Sequence, residues 1–279
     1  MAYRKAFVFT SENIGNIPAT PKNKTGRPLL SRTPMAQKFA KLSCCVMHNE
    51  NLGGILPRIH FHLQLAELKD KLLAMAALAQ QAMDSAVHAY LHRDAGLCQY
   101  VRENETAINT ANREVDELAY DLLAMEQPMA VDLRFILAVI KINGDLERIG
   151  DQSMSIVYRC LDLIDDERVD LPVDIASMGE YAGVMIRSSI QALIEGDAHV
   201  AESVLDMDDE IDRMNRVAQL DLTRVIQDRP SATQQALQAI IVCRNLERIA
   251  DHATNIAADV IFWIRGADVR HQLAAAEAE

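Results

Sequence analysis

The sequence predicts an all-α protein: two tandem three-helix bundles behind a basic N-terminal segment. Three observations point there. Apolar residues recur in alternating steps of three and four over most of the chain, aromatics are only 5% against 49% hydrophobic residues, and a block of roughly a hundred residues occurs twice.

Charge and proline divide the 279 residues near position 58. Residues 1–58 hold nine Lys/Arg, two Asp/Glu and five of the eight prolines; residues 59–279 hold 19 Lys/Arg and 38 Asp/Glu. The first part, at +7, keeps no period of 2 or 3.6 and reads as a disordered tail. It is either a leader of transit-peptide composition or the product of a start codon set too far upstream, with Met47 shortly before the helical body; the second reading is adopted. Residues 269–279 read as a short disordered C-terminal tail.

The body, at −19, is set against nucleic acid, whose binding rests on Lys and Arg neutralising phosphates. No run of eighteen apolar residues occurs, so no membrane insertion is expected. The first thirty residues lack the apolar core of a secretory signal. Cys44, Cys45, Cys98, Cys160 and Cys243 are odd in number and without C-x-x-C spacing, which argues against a disulfide framework. A cytoplasmic chain with reduced thiols is expected.

Six helices are predicted, at 60–92, 95–126, 129–166, 173–195, 198–227 and 231–266. Pro128, Pro172 and Pro230 each stand at the start of one, where the missing N–H costs nothing. Asp94 and Asp197 mark the two other breaks. Short connections make consecutive helices antiparallel neighbours, giving bundles at 59–168 and 169–268.

The repeat joins these bundles. At an offset of 103, Ser85, Ala89, Asp94, Val101, Ile108, Asn112 and Arg113 recur as Ser188, Ala192, Asp197, Val204, Ile211, Asn215 and Arg216. After a three-residue deletion near Pro128/Pro230 the offset is 100. Leu146-Glu147-Arg148-Ile149-x-Asp151 then recurs as Leu246-Glu247-Arg248-Ile249-x-Asp251. The core seams follow. Val242, Leu246, Ile249, Ala253, Ile256, Val260 and Trp263 form the last; Ile142, Leu146, Ile149, Ser153, Ile156, Cys160 and Leu163 form its counterpart. Ile108, Ala111, Val115, Leu118, Leu122 and Met125 line the second helix. Methionines in these seams are read as packing, Cys160 as a buried thiol, and Cys243 as lying just beside its seam.

Against the seams, Glu147/Asp151 and Glu247/Asp251 fall off the core stripe, on the outward side, four residues apart on one face. The second helix of each bundle offers a facing pair, Asp208/Asp212 around Ile211 and Glu105/Asn109 around Ile108. Carboxylates gathered there repel unless protons or cations neutralise them, and oxygen-only donors suit Mg²⁺, Mn²⁺ or iron. The same spacing also occurs on plain solvated helix faces, so both readings stand. His252 beside Asp251 reads as a solvent-facing or partner-contacting side chain. His60 and His62, two apart, do not share a helical face. There is no Glu-x-x-His, Gly-rich phosphate loop, G-x-S-x-G or zincin motif, and no nucleophile–base pair to argue for an enzyme.

Asn143-Gly-Asp-Leu-Glu-Arg-Ile-Gly-Asp151 and Cys243-Arg-Asn-Leu-Glu-Arg-Ile-Ala-Asp251 resemble the duplicated D-L-E-R-I-G-D signature of PhoU proteins. Glu126-Gln-Pro-Met-Ala-Val-Asp-Leu-Arg-Phe135 resembles that family's Q-Q-P-x-A-x-D-L-R stretch. The resemblance spans about residues 60–266. It implies a negative regulator of phosphate uptake and phosphate-starvation signalling, homodimeric and cytoplasmic. It also implies an adaptor between the ATPase subunit of the phosphate ABC transporter and the phosphate-sensing membrane histidine kinase. Some members hold metal clusters (Mg, Mn, Fe or Zn) through E(D)-x-x-x-D pairs. Carried over, the ligands are Asp208/Asp212 with Glu247/Asp251, and Glu105/Asn109 with Glu147/Asp151. Asn109 departs from the acidic pattern, and Ser155 stands where the second copy has Asn255, so the first face is expected to hold metal more weakly. The alternative is a carboxylate-cluster metal-binding helical protein with an enzymatic or storage role.

Overall fold

A computed structural model describes residues 55–267; the expectations for the basic tail up to residue 54 and for residues 269–279 lie outside the described residues, whereas 55–58, expected in the disordered tail, are helical. Seven α-helices follow one another: α1 (Ile55–His92), α2 (Ala95–Glu126), α3 (Ala130–Leu161), α4 (Ile175–Glu195), α5 (Ala198–Leu205), α6 (Asp208–Asp228) and α7 (Thr233–Arg265), with a 3₁₀ turn at Pro230–Ala232 before the last. No strand occurs among the described residues.

The breaks have local causes. Asp94 Oδ1 accepts from the backbone N–H of Gly96 and Leu97 (2.8 and 3.0 Å), Asp197 from His199 (2.8 Å) and Asp174 from Ser177 (2.9 Å). Each carboxylate satisfies orphan donors of a first turn and starts a helix. Gly196, at φ +65, ends α4 in the left-handed conformation that lacks a Cβ penalty.

Three boundaries differ from expectation by more than two residues. The first helix begins at Ile55 instead of 60. The helix predicted over 129–166 ends at Leu161. Asp162, Asp165 and Asp166 place negative charge at a helix C-terminus, where the dipole disfavours it. The following connection is instead tied down by Arg93, which donates to the carbonyl of Leu163 (2.7 Å), and by buried Gln235, which donates to the carbonyl of Glu167 and accepts from the N–H of Val169. The helix predicted over 198–227 is one rod in two pieces. Asp206 and Met207 remain right-handed (φ −67 and −80), but Met207 N–H reaches back only three residues, to Val204, tightening the turn.

The third-helix seams behave as read up to their last member: Ile142, Leu146, Ile149, Ser153, Ile156, Cys160 and Leu163 are fully buried, as are Val242, Leu246, Ile249, Ala253, Ile256 and Val260, whereas Trp263 is half-buried. Cys243 is buried too. The second-helix seam fails at its end. Met125, expected in the core, is 67% exposed, because α2 runs past the bundle there before turning at Gln127.

The bundles join through their first and third helices. Along α3 and α7 the contacts pair Lys141 with Asp259, Asp145 with His252, Ser155 with Asn245 and Arg159 with Gln238. These pairs lie symmetrically about Gly150 and Ala250, which are counterparts in the repeat. Along α1 and α4, Gln80 faces its own counterpart Gly183, and Val87 presses on Gly179. A pseudo-two-fold axis therefore passes between the two layers, with α2 beside α3 and α6 beside α7.

Candidate carboxylate faces

Helices α2 and α3 approach closely where Gly150 lies against Ile108; a Cβ on Gly150 would sit 3.2 Å from Ile108 Cδ1. Glu105 and Asn109 flank Ile108 on α2, and Glu147 and Asp151 stand on either side of Gly150 on α3. In the second bundle Asp208 and Asp212 of α6 lie close enough to α7 for their charges to act on Glu247, and that of Asp212 on Asp251.

The two faces are not equivalent. All four second-bundle acids are half-buried rather than outward-facing as expected. Burial, then the neighbouring Glu247 and Asp212 charges, push the Asp251 carboxyl up to about 6. Burial, then Asp212, also lifts Glu247, against the relief given by Arg244 and Arg248. Acids of two helices thus act on one another. In the first bundle, Glu105 and Glu147 are half-buried but Asn109 and Asp151 are exposed. Glu147 is raised by burial and by Asp151 of its own helix, with Arg148 at 3.5 Å opposing. Among the described residues no three His, Cys, Asp or Glu groups already converge at coordinating distance; a cation on the second face would need these side chains to rotate inward.

Sequence reasoning missed a polar groove beside the first face, between α2, α3 and α7. Lys141, Asp145, Glu147, His252, Asn255 and Asp259 line it. Asp259 is fully buried, with Lys141 Nζ at 3.4 Å. Its signal was present: a lone carboxylate inside the apolar run Ala257–Ile261. His252, read as solvent-facing or partner-contacting, is instead mostly covered, its Nδ1 2.9 Å from Asp145. Asn143, buried on α3, donates to the carbonyl of Asn112 and to Asp116, both on α2.

The PhoU domain family model matches residues 72–160 and 175–260, one match in each bundle. The Phosphate-specific transport system accessory protein PhoU homolog of Pseudomonas putida is 38% identical over 212 residues, covering 76% of this chain and 83% of that relative. The crystal structure of PhoU from Pseudomonas aeruginosa superposes with TM-score 0.72 at 36% identity, over 74% of this chain and all of that one. The phosphate transport system regulatory protein PhoU from Streptococcus pneumoniae, at 24% identity and TM-score 0.70 over 75% of this chain and 99% of that one, bears on the fold alone. Two domain matches in order, on two helix bundles related by a pseudo-dyad, together with this degree of identity, establish that the chain belongs to the PhoU family.

Proposed function

We propose that the chain is an accessory regulator of phosphate transport that acts as an adaptor. In phosphate-replete cells it would hold the phosphate transporter in a low-activity state through its ATPase subunit and keep the sensor kinase from signalling starvation. The observation that carries the reading is the duplicated Leu-Glu-Arg-Ile-x-Asp element. It sets acid pairs on matching faces of both bundles, in a chain whose relatives are named as phosphate transport accessory proteins. Acidic faces complement basic patches and steer association with them. The reading includes a cytoplasmic homodimer without catalytic activity; no described helix is long and apolar enough to cross a membrane. Affinity purification from phosphate-replete cells tests it. Recovery of neither the transporter ATPase nor the sensor kinase would sink the adaptor role.

The second-bundle face is proposed to take a divalent cation, with Asp208, Asp212, Glu247 and Asp251 as ligands. Burial of these carboxyls, and after it their repulsion of one another, raises Asp251 and Glu247 and supports it. Oxygen-only donors fit Mg²⁺ or Mn²⁺ and also accept iron. When bound, the cation would neutralise the face and let it meet an anionic group that the bare acids repel. Glu105, Asn109, Glu147 and Asp151 form the weaker face, with neutral Asn109 and no carboxylate from α2 acting on Glu147. Equilibrium dialysis against Mn²⁺ checks the ranking: alanine at Glu247 and Asp251 should remove more bound metal than alanine at Glu147 and Asp151. Equal losses overturn it.

A further inference from the structure

The turn between α2 and α3 is unlike any other surface of the described chain. Met125, Met129 and Val131 are 67%, 74% and 55% exposed within seven residues. An open hollow of about 500 Å³ lies beside Met129, where Phe61 and His62 of α1 approach Glu126, Pro128 and Asp132. Exposing three large apolar side chains this close together is unfavourable unless something covers them.

The internal duplication supplies a control. The second copy joins its second and third helices by a shorter connection, through the 3₁₀ turn Pro230–Ala232. There, Tyr120, Met125, Val131 and Leu133 are replaced by Thr223, Asp228, Ser231 and Thr233, at offsets of 103 before the proline and 100 after it. The helix ends on either side of that connection are joined without large exposed apolar side chains. Three residues near Pro128 that include the region of Met129 have no counterpart at all. The backbone is strained as well: Gln127 and Ala130 have φ of +46 and +26, a region that residues with a Cβ avoid.

Charge says what fits. From Glu117 to Leu133 the chain has four Asp/Glu and no Lys, Arg or His, and His62 of α1 also lines the hollow. Of the acids, Glu126 and Asp132 stand in the hollow itself. Exposed methionines are unbranched and polarizable and adapt to varied apolar partners, and an acidic rim around them selects cationic flanks. We propose that this turn is a docking site for a basic amphipathic helix of a partner protein. The apolar face of that helix would lie on Met125, Met129 and Val131, and its Lys/Arg would lie on Glu126 and the acids of late α2. The site is separate from the carboxylate faces and does not depend on what they bind.

The test uses the full chain and a fluorescein-labelled model peptide of about 18 residues, with Leu at i, i+3, i+4 and i+7 and Lys elsewhere. Anisotropy should report binding that weakens with salt. The triple variant Met125→Ser, Met129→Ser, Val131→Ser should weaken it roughly tenfold or more, and Glu126→Gln with Asp121→Asn about threefold. A peptide of the same composition with its period permuted should bind far more weakly. Absence of binding, equal binding by the triple variant, or equal binding of the permuted peptide overturns the proposal. So does a triple variant that changes the sedimenting mass of the chain, because the patch is then covered by a second copy.

Discussion

Replacing Asp251 with Asn should make the metal-free protein more stable at neutral pH. Asp251 is raised from 3.8 to about 6, first by burial and then by Glu247 and Asp212. The folded protein therefore holds this proton more tightly than the unfolded chain. Its contribution to stability is complete below pH 3.8 and is lost as pH rises through about 6, when the folded carboxyl ionises against its neighbours. At ~1.4 kcal/mol per pKa unit the rise corresponds to roughly 3 kcal/mol. The site is half-buried, and solvent screening leaves about 1–2 kcal/mol. Asn keeps the shape and removes the charge. In EDTA at pH 7.5 the variant should melt about 3–6 °C above the parent, since a domain of this size shifts by ~2–4 °C per kcal/mol. Between pH 4 and pH 6.5 its stability should be flatter, with a residual slope from Glu247, which is raised in the same direction. Millimolar Mn²⁺ should raise the melting temperature of the parent more than that of Asp251→Asn. A variant that melts below the parent in EDTA refutes the electrostatic argument; equal metal-induced shifts refute the cation site.

Two further expectations concern the frame. Gly179→Ala places a Cβ 2.9 Å from Val87 Cγ1, a branched side chain with little room to turn; it should cost about 1–3 kcal/mol in urea unfolding despite better helix propensity. Most of that loss should vanish in a Val87→Ala background, and a cost unchanged there would show that the α1–α4 contact is not responsible. The second expectation is thiol silence. Burial pushes Cys98 and Cys243 up to about 12 and raises Cys160 as well. With Cys44 and Cys45 changed to Ser, Ellman's reagent at pH 8 should find no reactive thiol in the native chain and all three after denaturation. A rapidly reacting native thiol contradicts the packing.

The third-helix seams were legible because a strict three-four alternation over twenty residues admits one face only, and all the core positions named from Ile142 to Leu163 lie there. The break at Asp197 was legible because one carboxylate performs a local task that needs no tertiary context. Met125 was misread because periodicity reports which side of a helix is apolar and not where the bundle beneath it stops. The pairing of exposed Lys141 with buried Asp259 and the His252–Asp145 contact were out of reach for another reason. Both join α3 to α7 across more than a hundred residues, and only the pseudo-dyad at Gly150 and Ala250 sets which side chains meet. The acid pairs fall between these cases: their spacing was visible, but their half-burial depends on how deeply α6 settles on α7.

The duplication also indicates where the two halves have stopped being copies. A pseudo-dyad demands equivalent packing near the axis, and there the sequence obliges: Gly150 is matched by another small residue, Ala250, and Leu146 and Ile149 are matched by Leu246 and Ile249 in fully buried positions. Away from the axis nothing in the packing requires the halves to agree, and they diverge in charge and polarity. Asn109 stands where the second copy has Asp212, whose charge acts on Glu247 and Asp251. Asp259 is buried against Lys141, while its counterpart Arg159 reaches Gln238 and Asp162 instead. Met125 and Val131 are exposed where Asp228 and Ser231 stand. These substitutions leave the fold intact, so stability alone does not explain them. The first and the last give one bundle a surface that the other lacks, which the proposed adaptor role would use to meet unlike partners through its two halves.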